Sequence, residues 1–173
     1  MAELVAPSAA WREPFLEAES EFVAGTSPSS VHRFPDEPFD VYAERLDSWT
    51  RGEQLPDGWV AVSTLWLVDG DAWIGRVTLR HELSDSLRKW GGHIGYEIRP
   101  SRRRQGYGTL ALRLALGHAA GLGIDSALVT CFADNVASRR IIEANGGELE
   151  AEFIHEDRPA LRYWVPAPQV EAG

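Results

Sequence analysis

The segment Arg99-Pro-Ser-Arg-Arg-Arg-Gln-Gly-Tyr-Gly-Thr109 concentrates residues suited to binding an anion. Gly106 and Gly108 let the backbone come close to a ligand and adopt dihedrals that a Cβ forbids. A helix is predicted from about Thr109 to Gly121, with Leu110, Ala111, Leu114 and Ala115 on one stripe. Its N-terminus adds orphan amides and the positive end of the helix dipole at the same spot. Arg102, Arg103 and Arg104 contribute fixed charge and forked donors that match phosphate oxygens. The chemistry this implies is a phosphate cradle.

A Gly-x-Gly turn alone is usually only a tight turn, so the neighbouring elements decide its meaning. Before it, His93-Ile-Gly-Tyr-Glu-Ile-Arg99 alternates Ile94, Tyr96 and Ile98 against His93, Gly95, Glu97 and Arg99, the period of a strand. After it come a short buried-type strand, Ala127 to Phe132, and a helix opened by Asn135-Val-Ala-Ser138 and stopped at Asn145-Gly146-Gly147. A Rossmann turn would follow directly on its strand, whereas Pro100 to Gln105 intervene here; no glycine is followed by Gly-Lys-Ser/Thr, which excludes a P-loop. The net charge of −9 excludes a broad nucleic-acid footprint.

From Gly92 to Gly147 the chain resembles the acyl-CoA-binding half of the GNAT superfamily of N-acetyltransferases. The superfamily signature is Gln or Arg, two residues, Gly, one residue, then Gly or Ala, and Arg103-Arg-Gln-Gly106-Tyr-Gly108 fits it at each specified position. Asn135-Val-Ala-Ser138 with the Asn145-Gly146 stop matches the second element, and the order of elements extends the likeness from Glu3 to Val165. The Glu143 to Gly147 stop and the ending Arg162-Tyr-Trp-Val165 resemble a branch of predicted acetyltransferases. The resemblance implies an α/β (α+β) fold with a mixed, mostly antiparallel, splayed sheet and helices on both faces. It also implies acetyl-CoA as acyl donor, an amine acceptor that is a small molecule or a protein N-terminus, and no metal. Residues Arg103, Arg104, Gln105, Gly106, Tyr107, Gly108 and Thr109 then hold the pyrophosphate. Ile98 and Arg99 match the strand edge that pairs with the pantetheine arm, and Asn135 and Ser138 also face that arm.

Acetyl transfer to an amine calls for a proton acceptor, because an alkylamine near pKa 10 is charged at neutral pH. His93 and Glu97 lie on one face of their strand beside the expected thioester. His93 sits about where superfamily members often carry a glutamate, and imidazole suits a base at neutral pH. Its alternative is a half-buried structural histidine; Glu97 is the reserve, with an arginine-paired or solvated carboxylate as its own alternative. Many members protonate the departing thiolate with a tyrosine seven residues after the motif asparagine, a position held here by Ile142. Either Tyr96 or Tyr163 replaces it, or the thiolate leaves unaided. Amides between Tyr96 and Ile98 are candidates for polarising the carbonyl. A non-catalytic acyl-CoA-binding or sensing module on the same fold is the competing reading.

At 173 residues and 44% hydrophobic content the chain suits a single N-acetyltransferase domain, residues 1–173, with a core from about 3 to 165 and a frayed tail. The lone Cys131 permits no intrachain disulfide and reads as a small buried hydrophobe, which with the absence of a signal-like start points to the cytoplasm. No stretch has membrane-spanning length, and no histidine spacing suggests a metal. A homodimer is an allowed assembly. The acidic balance suits a cationic acceptor, although such an excess is ordinarily solvated surface.

The remaining elements are predicted as a first strand at Glu3 to Ala6, helices at Glu13 to Val23 and Asp40 to Thr50, and loops at Gly25 to Ser30 and Pro35 to Pro38. Strands at Val60 to Val68 and Trp73 to Leu83 meet at Asp69-Gly70. Ser84 to Gly91 reads as a polar loop. Glu148 to His155 and Leu161 to Val165 form a last pair turning through Glu156 to Pro159. The His93 and Ala127 strands flank a helix and should be parallel neighbours. Trp59, Trp66, Trp73 and Tyr163 either wall an acceptor pocket or pack the core.

Overall fold

The computed structural model describes residues 1–22 and 32–169, and the predicted loop from Gly25 to Ser30 lies outside them. Strands β1 (Glu3–Val5), β2 (Val62–Asp69), β3 (Ala72–Arg80) and β4 (Ile94–Ile98) form an antiparallel sheet in that order. The Asp69-Gly70 signal places the hairpin correctly: Asp69 pairs with Ala72, and Gly70 takes a left-handed φ of 58°. A second antiparallel sheet has the order β5 (Ser126–Phe132), β7 (Arg158–Pro166), β6 (Glu148–His155).

β4 and β5 belong to different sheets, so the expected splay between them is present and no ladder of parallel hydrogen bonds joins them. Just ahead of β4, the His93 amide donates to the Leu128 carbonyl at 2.7 Å. Beyond that junction the strands part. Each is already satisfied on its other edge, β4 by β3 and β5 by β7, so the divergence leaves one open edge on each.

Helices cover both faces, as expected. On one side α4 (Tyr107–Gly121) and α5 (Val136–Ala144) pack over Leu67, Ile74, Val77, Ile94 and Val129. The buried stripe of α4 is Ala111, Leu112, Ala115, Leu116 and Ala119, so Leu110 and Leu114 are only half-buried. This helix is apolar on nearly every side, and its periodicity alone does not single out the inward face. On the other side α1 (Arg12–Glu19) and α2 (Phe39–Thr50) bury Phe15, Phe39, Tyr42, Leu46 and Trp49 against Trp66 and Trp73. Phe15 stacks on Trp66 with ring centroids 5.0 Å apart.

Trp66, Trp73 and Tyr163 are therefore core residues, while Trp59 stays 40% exposed against Trp49. Cys131 is buried, and burial pushes its thiol up to about 11, so it behaves as a small hydrophobe. The predicted first helix is shorter, Arg12–Glu19, and Val23 lies outside the described residues. The second hairpin strand stops at Arg80, before Leu83.

The stretch from Ser84 to Gly91 holds a short helix, α3 (Asp85–Lys89), where a loop was expected. Ser84 Oγ accepts from the Leu87 amide at 3.3 Å, and Arg88 and Lys89 sit at the negative end. A single turn carries too few apolar residues to show periodicity. The final turn also tightens to Glu156-Asp157, both with left-handed φ (46° and 59°), so Pro159 lies within β7. No helix among the described residues is long and apolar enough to cross a membrane.

Candidate active site

The site is built around the open edge of β4. The Arg99 amide donates to Ile74 O at 2.9 Å, which by antiparallel alternation turns the odd-numbered amides toward β3 and those of Tyr96 and Ile98 toward the gap. The side chains alternate too. Ile94, Tyr96 and Ile98 pack on the α4/α5 side, whereas Glu97 and Arg99 meet residues of the opposite face.

At the end of β4 the chain reaches the cradle. Gly106 caps α4 with φ of 84°, and Leu110 donates to Gly106 O at 3.1 Å, which leaves the amides of Tyr107, Gly108 and Thr109 as the orphan donors of the first turn. Arg103, Arg104, Gln105 and Gly106 are exposed. Two predicted ligands serve as internal braces: Gln105 Nε2 donates to Ser101 O at 3.1 Å, and Tyr107 OH donates to Asp69 Oδ2 at 2.8 Å. Arg103 Nε donates to Ile98 O at 3.0 Å, tying the loop to the strand edge.

Gly108 has a second job that local sequence does not reveal. A Cβ there would stand 2.5 Å from Ile141 Cδ1 of α5. The residue therefore sets the approach of two helices as well as the shape of the cradle. Asn145 fastens the same pair, with Nδ2 donating to Thr109 O at 3.2 Å and Ile141 O at 2.8 Å.

Across the gap, Asn135 Oδ1 accepts from the Ser138 amide at 3.0 Å and caps α5. Replacing Asn135 by alanine should cost about 1 kcal/mol of stability, read as a lower urea midpoint with unchanged slope. Ser138 Oγ lies 2.6 Å from Tyr96 OH, joining α5 to β4. Burial pushes the Tyr96 phenol up to about 12 against the pull of the Ser138 bond, so it keeps its proton at neutral pH. Ile142 is fully buried, and Tyr163 OH is committed to Glu143 at 3.2 Å.

The two predicted base candidates have unlike surroundings. His93 is 7% exposed at the closed end of the splay, and its Nδ1 accepts the Leu128 amide at 2.9 Å. Burial, with smaller contributions from Arg88 and Arg80, pushes its imidazole down to about 4. At neutral pH its proton is on Nε2 and its lone pair is spent. Glu97, four residues or about 13 Å along the strand, accepts from His32 Nε2 at 2.9 Å and pairs with Arg76 Nε at 3.1 Å. Burial is the largest influence and acts to raise its pKa, yet the His32 bond and the Arg76 charge together hold the carboxyl below its usual range.

Arg99 turns away from the cradle. Its Nε meets Glu21 at 2.6 Å and its Nη2 meets Glu17 at 2.7 Å, so its side chain holds the α1 end of the molecule to β4. Both its amide and its guanidinium are thus committed within the protein.

A family model described as an acetyltransferase (GNAT) domain matches residues 13–148. The chain belongs to the GNAT acetyltransferases. Among solved structures it is similar to RimL, a ribosomal L7/L12 alpha-N-protein acetyltransferase, in its apo form: 17% identity, 95% of this chain and 90% of that one covered, TM-score 0.67. A complex of RimL with coenzyme A, disulfide-bonded to a cysteine of that protein, aligns at 17% identity over 95% and 93% of the chains with a TM-score of 0.63. A chimera of the Vibrio cholerae spermidine N-acetyltransferase SpeG and hSSAT aligns at 16% identity over 96% and 95%, TM-score 0.63. A search of curated proteins found no significant match.

In this GNAT enzyme the structure brings Asn135, Ser138 and Tyr96 together on one side of the gap, with the Ile98 edge and the Arg103–Thr109 loop at its end. It leaves His93 apart from that group, at the junction. Two residues beside Glu97 escaped sequence reasoning, His32 and Arg76. Neither has a local signal, because their partner lies far away in the chain. Among the described residues no cluster of three or more His, Cys, Asp or Glu could hold a metal ion.

Proposed function

We propose that this GNAT enzyme transfers acetyl from acetyl-CoA to a primary amine by direct attack, working as a single N-acetyltransferase domain in the cytoplasm. The observation that carries the reading is the open edge of β4, with Tyr96 and Ile98 amides turned into the gap. A carboxylate, Glu97, stands on one face of the strand and a hydroxyl pair, Tyr96 and Ser138, on the other. The cradle at its end fits a pyrophosphate: a left-handed Gly106, orphan amides and exposed Arg103 and Arg104. Amine acceptors are supported by the neighbours, of which RimL is named for a protein α-amine and SpeG for spermidine.

Acetyl-CoA supplies the activated thioester. The Arg103–Thr109 loop would hold its phosphates, while the Ile98 edge with Asn135 and Ser138 would align its pantetheine. Amides of Tyr96 and Ile98 would stabilise the carbonyl oxygen as it gathers charge. As the C–N bond forms and the C–S bond breaks, the Glu97 side of the strand takes up the amine proton and the Tyr96–Ser138 pair returns one to the leaving sulfur. His93, its lone pair spent on Leu128, holds β4 to β5 at the junction.

Release of free CoA from acetyl-CoA, measured against spermidine, free amino acids, an aminoglycoside and peptides with free N-termini, tests the reading. Amine-dependent CoA release with an acetylated product is expected. Tight acetyl-CoA binding without turnover on any of them would favour a binding module, the reading that Ile142 in place of a tyrosine encourages. Tyr96→Phe should slow turnover about a hundredfold or more with CoA affinity little changed, whereas Ser138→Ala, which also loses its contact to the pantetheine, should slow turnover and weaken CoA binding. Full activity in both would mean that the thiolate departs unaided.

A further inference from the structure

We propose that His32 is the proton acceptor for the incoming amine, held in the right tautomer by Glu97. The inference rests on the acetyl-transfer reading above. His32 comes from the segment before α2, and its Nε2 lies 2.9 Å from Glu97 Oε2 across 65 residues of sequence. Both side chains are half-buried, 21% and 26% exposed. Around the pair, Arg45 Nη2 donates to the His32 backbone carbonyl at 3.0 Å, the Phe22 ring centroid stands 6.5 Å from that of the imidazole, and Arg76 Nε lies 3.1 Å from the Glu97 carboxylate as its ion-pair partner.

The tautomer follows from the partner. An ionised carboxylate only accepts hydrogen bonds, so Nε2 carries the proton and the Nδ1 lone pair is left to act. His93 shows the opposite arrangement, with Nδ1 accepting an amide and no lone pair to offer. Proton affinity points the same way. A carboxylate held below its usual range is badly matched to an amine proton, and imidazole as a class is the more basic acceptor. Glu97 is thereby the positioning residue and His32 the catalytic one.

In the step itself the amine nitrogen attacks the thioester carbon, the C–N bond forms and the C–S bond breaks. The nitrogen's proton moves to His32 Nδ1, while the Nε2 proton stays in its bond to Glu97 and the imidazolium later returns a proton to solvent. The charged groups around the imidazole are Glu97 on β4, Arg76 on β3 and Arg45 on α2, with Arg33, Glu19 and Glu37 paired nearby.

The test uses acetyl-CoA with spermidine and with a peptide amine. His32→Ala should lower kcat about a hundredfold with the KM for acetyl-CoA within a few-fold. The acidic limb of the pH–rate profile should vanish, and added imidazole should restore turnover. A His32→Ala/Glu97→Gln double variant should be little slower than either single one. Undiminished activity in His32→Ala would overturn the assignment, as would a loss that imidazole does not rescue and that leaves the acidic limb in place. Nitrogen NMR of the wild-type protein adds a readout independent of any variant's folding: the Nε2–H tautomer at His32 is expected, and the Nδ1–H tautomer would overturn it. A wild type that binds acetyl-CoA but acetylates neither amine defeats the acetyl-transfer reading instead.

Discussion

Glu97→Gln should lower amine-dependent turnover by a hundredfold or more while acetyl-CoA binds as in the wild type. Glutamine preserves the shape of the side chain but removes its charge. It can still accept a hydrogen bond at one oxygen, yet it no longer dictates which nitrogen of His32 carries the proton. Arg76, 4% exposed, would also lose the carboxylate that faces it. The cradle lies beyond the end of β4, where only the charge of Arg103 reaches Glu97 among its residues, so coenzyme affinity, held within a few-fold, is the internal control. Steady-state kinetics beside a direct CoA titration separates the two effects. Unchanged kcat would remove Glu97 from the chemistry.

The same carboxylate sets a pH window. Its folded pKa lies below the ordinary value of 4.5, so its contribution to stability is complete above that value and is lost as pH falls through the lower, folded one. Urea midpoints of the wild type should therefore drop more steeply below pH 4.5 than those of Glu97→Gln. Parallel curves in that range would mean that the pairing with His32 and Arg76 contributes nothing to folding.

Sequence and structure agree where the controlling interactions are local. The Asp69-Gly70 hairpin, the Asn135 cap and the alternation of Ile94, Tyr96 and Ile98 are each set by residues within a few positions of one another. The turn into α4 was legible for the same reason, because a left-handed glycine, the arginines and the helix start occupy one short segment. What local pattern could not supply is the partner of a side chain. Arg99 reads as part of a basic run, but Glu17 and Glu21 of the chain's first quarter claim it. His93 and Glu97 share a strand face by parity, yet only the approach of β5 spends one lone pair and only His32 and Arg76 define the other group. The inward stripe of α4 was equally hidden, since an apolar helix gains its orientation from the sheet it covers.

Gly106→Val should raise the dissociation constant for CoA by a hundredfold or more. At φ of 84° a β-branched residue is strained by about 1–2 kcal/mol or more. Relief of that strain rotates the amides of Tyr107 and Gly108 away from the phosphate, with about 1.5–3 kcal/mol at stake for each charge-assisted bond lost. Among the described residues nothing outside the adjoining chain lies within 4 Å of a Cβ at Gly106, so the effect is conformational rather than a steric clash. Gly106→Asn is the discriminating control: asparagine tolerates the left-handed region and should hold CoA within a few-fold of wild type. Gly108→Val is expected to behave differently, losing CoA affinity and also about 1–3 kcal/mol of stability, because its side chain must push into Ile141, 2.5 Å from the first added carbon. Isothermal titration with CoA and urea denaturation of all three variants would show this pattern. If Gly106→Val binds CoA normally, the phosphate is held by the arginines and not by the backbone of the cradle.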